Sequence, residues 1–478
     1  MASKLPSEIL VQIASHLQSR GHKLGPYALV CRAWQSAFEK KIYASLAVLS
    51  PSSTSMVVVG HESRGLSFRK RGLTFEKLDS LMARKQLRQS VIRSIEYKVA
   101  VPHWLFPRGQ YKLNNNYTYD NLIRRENDRS FTAGMQALFD FLSSWPDEAG
   151  SVSLGIVLQA EKVYTSDQDG EPDTRLLMGY GKSVAPYCAK FLSGCVLASV
   201  SCVSHLDFPS AETPCAMGEE NQISPGAMLQ IASACKDGSI QELAIKDHFR
   251  VPYGSTSLLA EKRASTATNL SLLPWSVQKL DIQWSGLRYG DQTDEDEEDD
   301  ILPDPLPTIT LLPDPLSAVL RDISTRLTSL HISEMEVLPE IFWLPRASQQ
   351  SLLPYWPYLV TIVLKDLLFF TPSGQVLSYV DTNHKRDIYV ASYFNKFYSA
   401  AGVAVRSMPR LKTMSIVFDH EEQALDLQVG EGKGHLGLFV NDYRPSSEVL
   451  DSWKIDSDQL HRNRGPWLEI LYEKWPLV

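Results

Sequence analysis

The residues whose types could carry phosphate or metal chemistry lie in the middle of the chain. Gly181-Lys182-Ser183 ends like a phosphate-binding loop, but such a loop needs a glycine at the position of Leu176. Cys188, Cys195 and Cys202 recur every seven residues. Zinc sites use ligand pairs about two to four residues apart, so this spacing favours free thiols over a metal site.

Other catalytic signatures are also missing from the sequence. Neither Gly-x-Ser-x-Gly nor His-Glu-x-x-His occurs, and the eleven histidines are scattered. We therefore predict no catalytic residue, no metal ligand and no cofactor, which means that the chain is not an enzyme. An enzyme of unrecognised type stays open as an alternative, which a deep pocket of converging ionisable groups would favour.

The best-defined elements of the sequence lie in its first fifty residues. Pro6 fits the first turn of a helix, and Gly21 fits the position after its end. A second apolar set with helical spacing predicts one further helix that stops between Phe38 and Tyr43. Helices this small cannot bury all of their apolar surface alone. The remainder is available to a partner or to the rest of the chain. The apolar stripe of the first helix is Ile9, Leu10, Ile13 and Leu17, and the second set is Tyr27, Leu29, Val30, Cys31, Trp34 and Phe38.

These residues resemble the F-box. The resemblance is carried by Leu5, Pro6, Glu8 and Ile9, then Leu10, Ile13 and Leu17, and finally Leu29, Val30, Cys31, Arg32 and Trp34. It implies docking on a Skp-type adaptor and, with a cullin scaffold, a place in a cullin–RING ubiquitin ligase. The adaptor-binding residues it implies are Leu5, Pro6, Ile9, Leu10, Ile13, Leu17, Leu29, Val30 and Trp34, some of which must instead pack within the module. The alternative is that these helices only cap the following domain.

Length and composition are those of a soluble globular protein with two or three domains, or with a small module and one large domain. The 478 residues are 44% hydrophobic, without an apolar run long enough to span a membrane. Polar residues interrupt the N-terminal apolar stretch, so it does not read as a signal peptide. Six cysteines are too sparse for a disulfide framework. We therefore expect a reducing compartment, cytoplasm or nucleus, and no membrane partner.

Charge is unevenly distributed along the chain. Residues 1–130 hold 21 lysines and arginines against 9 aspartates and glutamates, and the remainder holds 27 against 46. No nucleic-acid-binding motif accompanies the basic part, so no nucleic-acid partner is predicted, although Arg69-Lys70-Arg71 spells a weak nuclear-localisation signal. Seven consecutive carboxylates at 294–300, followed by prolines, predict a disordered loop over about 288–316. This loop is either a solvated insertion or a docking site for a basic partner.

Eight short runs of alternating apolar residues predict β-strands. Their recurring form resembles the strand of a leucine-rich repeat, with helices inserted between strands, as over Phe131–Trp145 and Ile388–Met408. Trp275, Trp284, Trp343 and Trp356 lie at strand ends, where they either line a peptide-binding face or fill the core. The eight runs are Ser94–Val99, Val152–Leu158, Val203–Phe208, Ile240–Ile245, Val277–Ile282, Leu327–Ile332, Leu359–Leu364 and Leu411–Ile416.

The predicted fold class is α/β: an N-terminal F-box helix bundle, then an irregular leucine-rich-repeat-like solenoid of parallel strands backed by helices. Segments such as Phe131–Trp145 and Glu448–Trp453 resemble an uncharacterised domain of F-box-like proteins from filamentous fungi. We predict a helical module at 1–50, a linker and connecting helix at 51–85, and a recognition domain at 86–478. The predicted function is substrate recognition for a ubiquitin ligase. A repeat-type binding scaffold with a degenerate F-box and no ligase role stays open.

Overall fold

The computed structural model divides the chain into two units, Met1–Leu243 and Ala244–Val478. The residues it describes are 5–51, 58–62, 65–68, 73–82, 89–105, 121–146, 151–164, 187–209, 222–236, 238–247, 251–252, 256–284, 287–288, 314–342, 355–368, 378–381, 386–389, 391–418, 423–440, 443–462 and 465–475. The acidic run 294–300, the loop-like Gly181-Lys182-Ser183, the basic Arg69-Lys70-Arg71 and Trp343 lie outside these residues.

The first unit begins with three helices and continues as a parallel sheet. Its helices are α1 Ser7–Ser19, α2 Gly25–Ala28, α3 Arg32–Ile42, α4 Phe75–Met82, α5 Asn121–Ser143 and α6 Pro225–Ser233. Its strands are β1 Ser45–Leu49, β2 Val58–Glu62, β3 Gly65–Phe68, β4 Leu73–Thr74, β5 Ser94–Leu105, β6 Val152–Tyr164, β7 Cys188–Ala189, β8 Val203–Asp207, β9 Gln222–Ile223 and β10 Glu242–Asp247. The division between the units falls within β10.

The sheet of the first unit has the order β8-β6-β5-β1-β4, with every pair parallel. Helix α5 packs on β5, where the Tyr97 hydroxyl donates to the carbonyl oxygen of Gly134 at 2.6 Å. A side chain at position 134 would press against Val99, because an added Cβ would lie 3.2 Å from its Cγ1. Glycine therefore lets helix and strand approach closely.

The second unit combines a parallel half with an antiparallel half. Its strands are β11 Val251–Pro252, β12 Lys279–Trp284, β13 Leu287–Arg288, β14 Ser329–Ser333, β15 Thr361–Leu367, β16 Ser378–Asp381, β17 Arg386–Tyr389, β18 Thr413–Phe418, β19 Gln423–Gly430, β20 Lys433–Phe439 and β21 Trp467–Tyr472. Its helices are α7 Thr256–Leu270, α8 Pro315–Ser324, α9 Ala391–Ala404, α10 Ser447–Trp453 and α11 Ser457–Arg462, with 3₁₀ turns at Pro339–Ile341 and Val405–Ser407.

Strands β12, β14, β15 and β18 pair in parallel, and β18 to β21 continue as an antiparallel meander. Residues alternate along these strands: Leu330 and Ile332 of β14 are buried, while His331 between them is half-exposed. The buried face is covered by helices such as α9, whose Phe394 ring centroid lies 5.0 Å from that of Phe418 on β18. One side of the sheet is therefore core, as period-2 alternation requires.

Each of the eight alternating runs overlaps a strand, and the pairs among β5, β6, β8 and β10 and among β12, β14, β15 and β18 are parallel. The fold is thus a mixed α/β fold in which N-terminal helices precede mostly parallel sheet structure. The antiparallel strands β19, β20 and β21 were not among the predicted runs. Within residues 51–85 the structure contains the antiparallel pair β2 and β3 as well as β4 and α4.

Among the described residues, no helix is both long enough and apolar enough to cross a membrane.

Candidate functional site

The three N-terminal helices form a module around a small core of their own. Helices α1 and α2 both contact α3. Five buried residues make the core, and seven partly buried ones pack against it. The buried set is Leu10, Ala14, Leu24, Ala37 and Phe38, and the partly buried set is Val11, Ile13, Leu17, Tyr27, Ala28, Trp34 and Ile42.

The first helix ends in the way that its sequence predicts. Gly21 has φ +77°, and its N–H donates to the Gln18 carbonyl at 2.9 Å. The His22 N–H donates to the Leu17 carbonyl at 3.0 Å, which completes a Schellman motif. At the other end, hydrogen bonding to the backbone and to the Ser7 hydroxyl lowers the pKa of Glu8, which favours the carboxylate at the helix N-terminus.

The single helix predicted across Tyr27 to Phe38 is wrong, because the chain breaks after α2. Cys31 is extended (φ −163°, ψ 170°), and α3 begins at Arg32. Eleven residues of continuous helix would separate Tyr27 and Phe38 by about 16 Å along the axis. The break instead brings their ring centroids to 5.7 Å, and Trp34 stacks on Phe38 at 5.1 Å. The break in the helix therefore allows the rings of Tyr27, Trp34 and Phe38 to stack on one another.

The same break leaves two aliphatic side chains in solvent. Leu29 is 86% exposed and Val30 is 58% exposed. Leu5 precedes α1 and Ile9 lies in its first turn, and these side chains are 41% and 40% exposed. These four residues are called the exposed apolar set below. Burying aliphatic side chains stabilises a complex, so these residues are the candidates on this module for contact with another protein.

The nine residues predicted to bind an adaptor divide into three groups by exposure. Pro6 is exposed, as are the four residues of the exposed apolar set. Ile13, Leu17 and Trp34 are half-buried against the module core. Leu10 is 1% exposed, so in this conformation it packs within the module.

The tryptophans at strand ends have two different environments. Trp284 and Trp356 are buried, and the Trp356 indole N–H donates to the Ser324 hydroxyl at 2.7 Å. Trp275 is 76% exposed, on the segment before β12. Trp284 and Trp356 therefore fill the core, whereas Trp275 fits the alternative of a residue on a binding surface.

One buried charge cluster in the second unit was not anticipated from the sequence. The Arg263 guanidinium on α7 contacts Asp314 at 2.6 Å and Glu336 at 3.4 Å, and all three side chains are at most 3% exposed. Asp314 also caps α8 by accepting from the Ser317 N–H at 2.7 Å. Burial acts to raise the pKa of Asp314, but Arg263 and Ser317 outweigh it and hold that pKa below its ordinary value. Arg263 pairs with both carboxylates, so the cluster links α7 to the N-terminus of α8 and to the segment after β14.

Metal-ligating and thiol groups are dispersed in the part of the chain that the structure describes. There, no group of three or more histidine, cysteine, aspartate or glutamate side chains is placed to hold a metal ion. Cys31, Cys188, Cys195, Cys202 and Cys235 are not disulfide-bonded. Burial raises the pKa of Cys202 to about 11 and that of Cys235 to about 12, which disfavours the nucleophilic thiolate.

Comparison with protein families gives a match on the helical module. Residues 2–47 match the model of the F-box-like family. No curated protein matches the chain. The matched segment contains the module core and the exposed apolar set.

Proposed function

We propose that this chain is the substrate-recognition subunit of a cullin–RING ubiquitin ligase. The F-box-like domain suggests a receptor that binds a Skp-type adaptor. In the proposal, the N-terminal helices dock on that adaptor, the adaptor joins the chain to a cullin scaffold, and the remaining domain binds a protein substrate. The receptor itself is not catalytic: it raises the effective concentration of substrate beside the ubiquitin-loaded enzyme.

The observation that carries the proposal is the exposure of Leu29 and Val30 on a folded module that has its own core. Side chains that packed against the rest of the chain would be buried, and these two are not. The proposal further takes the sheet domain as an irregular leucine-rich-repeat-like receptor of the kind found in fungal F-box-like proteins, working in the cytoplasm or nucleus. The parallel strands with intervening helices in each unit support this architecture.

Copurification with a Skp-type adaptor tests the proposal. The test variant carries Ile9→Asp and Val30→Asp, which place charges in the exposed apolar set without touching the module core. The matched control carries Leu471→Asp and Val196→Asp, since these residues are 61% and 81% exposed elsewhere. Loss of central interface contacts costs about 2 kcal/mol or more. We therefore expect at least about a tenfold loss of adaptor binding in the test variant and none in the control.

Two results would contradict the proposal. In the first, the wild-type chain fails to bind the adaptor, which leaves a binding scaffold with a degenerate F-box. In the second, the test variant binds as well as wild type, which places the contact elsewhere. Thermal unfolding of each variant separates loss of binding from loss of the fold.

A further inference from the structure

Exposed aromatic side chains cluster on the second unit where the chain enters its parallel strands. Trp275 is 76% exposed before β12, and Tyr355 and Tyr358 are 59% and 53% exposed before β15. Leu272, also exposed, lies on the same segment as Trp275. The other exposed large hydrophobic residue described in this unit is Leu471. Four of five such residues therefore fall on two strand-entry segments.

Backbone hydrogen bonds place the strand-entry segments side by side. The Thr328 N–H donates to the Gln278 carbonyl at 2.7 Å, and the Val360 N–H donates to the Thr328 carbonyl at 2.8 Å. The Lys412 N–H donates to the Val360 carbonyl at 2.8 Å. Neighbouring strands are about 4.8 Å apart, so the four segments form one continuous edge. Residues 271–279, 324–329, 355–361 and 405–413 are called the entry edge below.

The aromatic residues of the entry edge are held by contacts from neighbouring segments. The Arg326 guanidinium lies 4.8 Å from the centroid of the Trp275 ring and donates to the carbonyls of Pro274 and Leu273 at 3.0 and 2.7 Å. Between Tyr355 and Tyr358, the Trp356 N–H donates to the Ser407 carbonyl at 2.9 Å. A segment fixed in this way loses little conformational entropy when a ligand binds.

The entry edge is basic, although residues 131–478 as a whole carry a net negative charge. Its four segments contain Arg326, Arg406, Arg410, Lys279 and Lys412 but no aspartate or glutamate. Arg406 is engaged with the carbonyls of Asp451 and Ser452, whereas Arg410 and Lys412 are exposed. The acidic residues nearest to these segments along the chain are Asp322, which pairs with Arg321 at 2.8 Å, and Asp281, which pairs with His331 at 3.2 Å.

We infer that the entry edge binds an acidic protein segment that carries an aromatic or aliphatic side chain. Such a residue would stack on Trp275 and the two tyrosines, because large aromatic residues dominate protein hot spots. Arg410 and Lys412 would attract the carboxylates of the ligand. A nucleic acid is disfavoured because its charged backbone would extend beyond the edge, over a region in which residues 131–478 hold 46 acidic against 27 basic residues. A short acidic segment can stay within the basic edge. The inference rests on the proposed function, in which this segment belongs to the substrate.

Fluorescence anisotropy with defined peptides tests the inference on the full-length chain. The probes are labelled twelve-residue peptides that contain either four glutamates or four lysines, each made with and without a central Leu-Phe pair. We expect the glutamate peptide with Leu-Phe to bind most tightly and to weaken as NaCl is raised. Trp275→Ala and Tyr358→Ala should each weaken this peptide about tenfold or more. Arg410→Glu with Lys412→Glu should remove the preference for negative charge.

Matched controls use the same substitutions away from the entry edge. Val196→Ala replaces another exposed apolar side chain, and Lys23→Glu with Lys40→Glu reverses two exposed charges on the N-terminal module. These controls should bind the peptide as wild type does. Equal binding of acidic and basic peptides, no effect of Trp275→Ala and Tyr358→Ala, or preferential binding of a labelled twelve-residue oligothymidine would overturn the inference.

The outcome is separable from that of the proposed function. Ile9→Asp with Val30→Asp should leave peptide binding unchanged, and Trp275→Ala should leave adaptor binding unchanged. Adaptor binding without peptide binding would reject the entry edge and keep the receptor role. Peptide binding without adaptor binding would support the entry edge as a binding site and reject the receptor role.

Discussion

Helices α1 and α9 are almost equal in length but differ in how much of themselves they bury. Helix α1 has 13 residues, of which Leu10 and Ala14 are buried. Helix α9 has 14 residues, of which eight are buried, among them Tyr393, Phe394 and Phe397. The second unit thus buries its apolar residues in its own core, whereas the N-terminal module has a small core and leaves Leu29 and Val30 exposed to solvent. A module with so little internal burial gains stability when a partner covers it.

The largest expected effect is on the buried charge cluster of the second unit. Arg263→Ala leaves Asp314 and Glu336 buried without their cation, so we expect the free energy of unfolding to fall by about 3–5 kcal/mol. Urea denaturation at neutral pH measures this loss. In the wild type the contribution of Asp314 is present above its unfolded pKa and disappears as pH falls through its lowered folded pKa.

The matched control for the charge cluster is Arg321→Ala. Arg321 pairs with Asp322 on the surface, where the Asp322 side chain is 68% exposed. Surface pairs contribute about 0–1 kcal/mol. If both variants lose the same stability, the second unit does not depend on its buried cluster and the contrast with the module weakens.

The next effect concerns the core of the N-terminal module. Phe38→Ala removes the ring on which Tyr27 and Trp34 stack, and truncation of a buried phenylalanine costs about 3–5 kcal/mol. We expect hydrogen exchange to accelerate across α1 and α3 while α9 stays protected. Acceleration in α9 of the same size would show that the module and the second unit unfold together, which contradicts the comparison. Val30→Ala is the control, because Val30 is exposed and its truncation should leave exchange unchanged.

A smaller effect is expected where α9 meets α10. A Cβ added at Gly402 would lie 2.6 Å from the Ser452 Oγ and 2.8 Å from two atoms of the Trp453 ring. Overpacking of this kind costs about 1–3 kcal/mol. Gly402→Ala should therefore lower the thermal unfolding midpoint, whereas Gly25→Ala in the module, where an added Cβ meets nothing within 4 Å, should not. Equal shifts would mean that tight packing does not distinguish the two regions.

The smallest effect is a pH dependence on the half-exposed face of the sheet. The His331 Nδ1 lies 3.2 Å from an Asp281 carboxylate oxygen, and this hydrogen bond raises the pKa of His331. The extra stability is present below the unfolded pKa of histidine and is lost as pH rises through the higher folded pKa. Both side chains are more than 40% exposed, so the gain stays below about 1 kcal/mol. NMR titration should show a lower His331 pKa in Asp281→Asn; an unchanged value would contradict the pairing.

The sequence was sufficient to identify the parallel strands because one face of each is buried, which forces alternation on runs such as Leu327–Ile332. The same signal was weaker in the meander. Gly434 and Gly437 lie in β20, where glycine lowers strand propensity. The structure explains both glycines, since an added Cβ would lie 2.8 Å from the Trp475 ring at position 434 and 3.4 Å from the Trp467 ring at position 437. Those contacts join residues distant in sequence and cannot be read from local pattern.

The sequence predicts which residue types form the candidate site, but it does not predict which of their side chains are exposed. Helical spacing continues across Tyr27, Trp34 and Phe38, so the sequence hides the break at Cys31 that exposes Leu29 and Val30. Spacing likewise places Leu10 with Ile9 on one stripe, although Leu10 is buried and Ile9 is 40% exposed. The Arg263 cluster joins residues 51 and 73 positions apart, which no local motif records.

Hydrogen–deuterium exchange of the full-length chain, measured with and without a Skp-type adaptor, shows where the adaptor binds. We expect the adaptor to slow exchange in the peptides that cover α1 and the Leu29–Cys31 break, and to leave the strands of the second unit unchanged. Adaptor binding with no added protection anywhere in residues 5–44 would contradict this expectation.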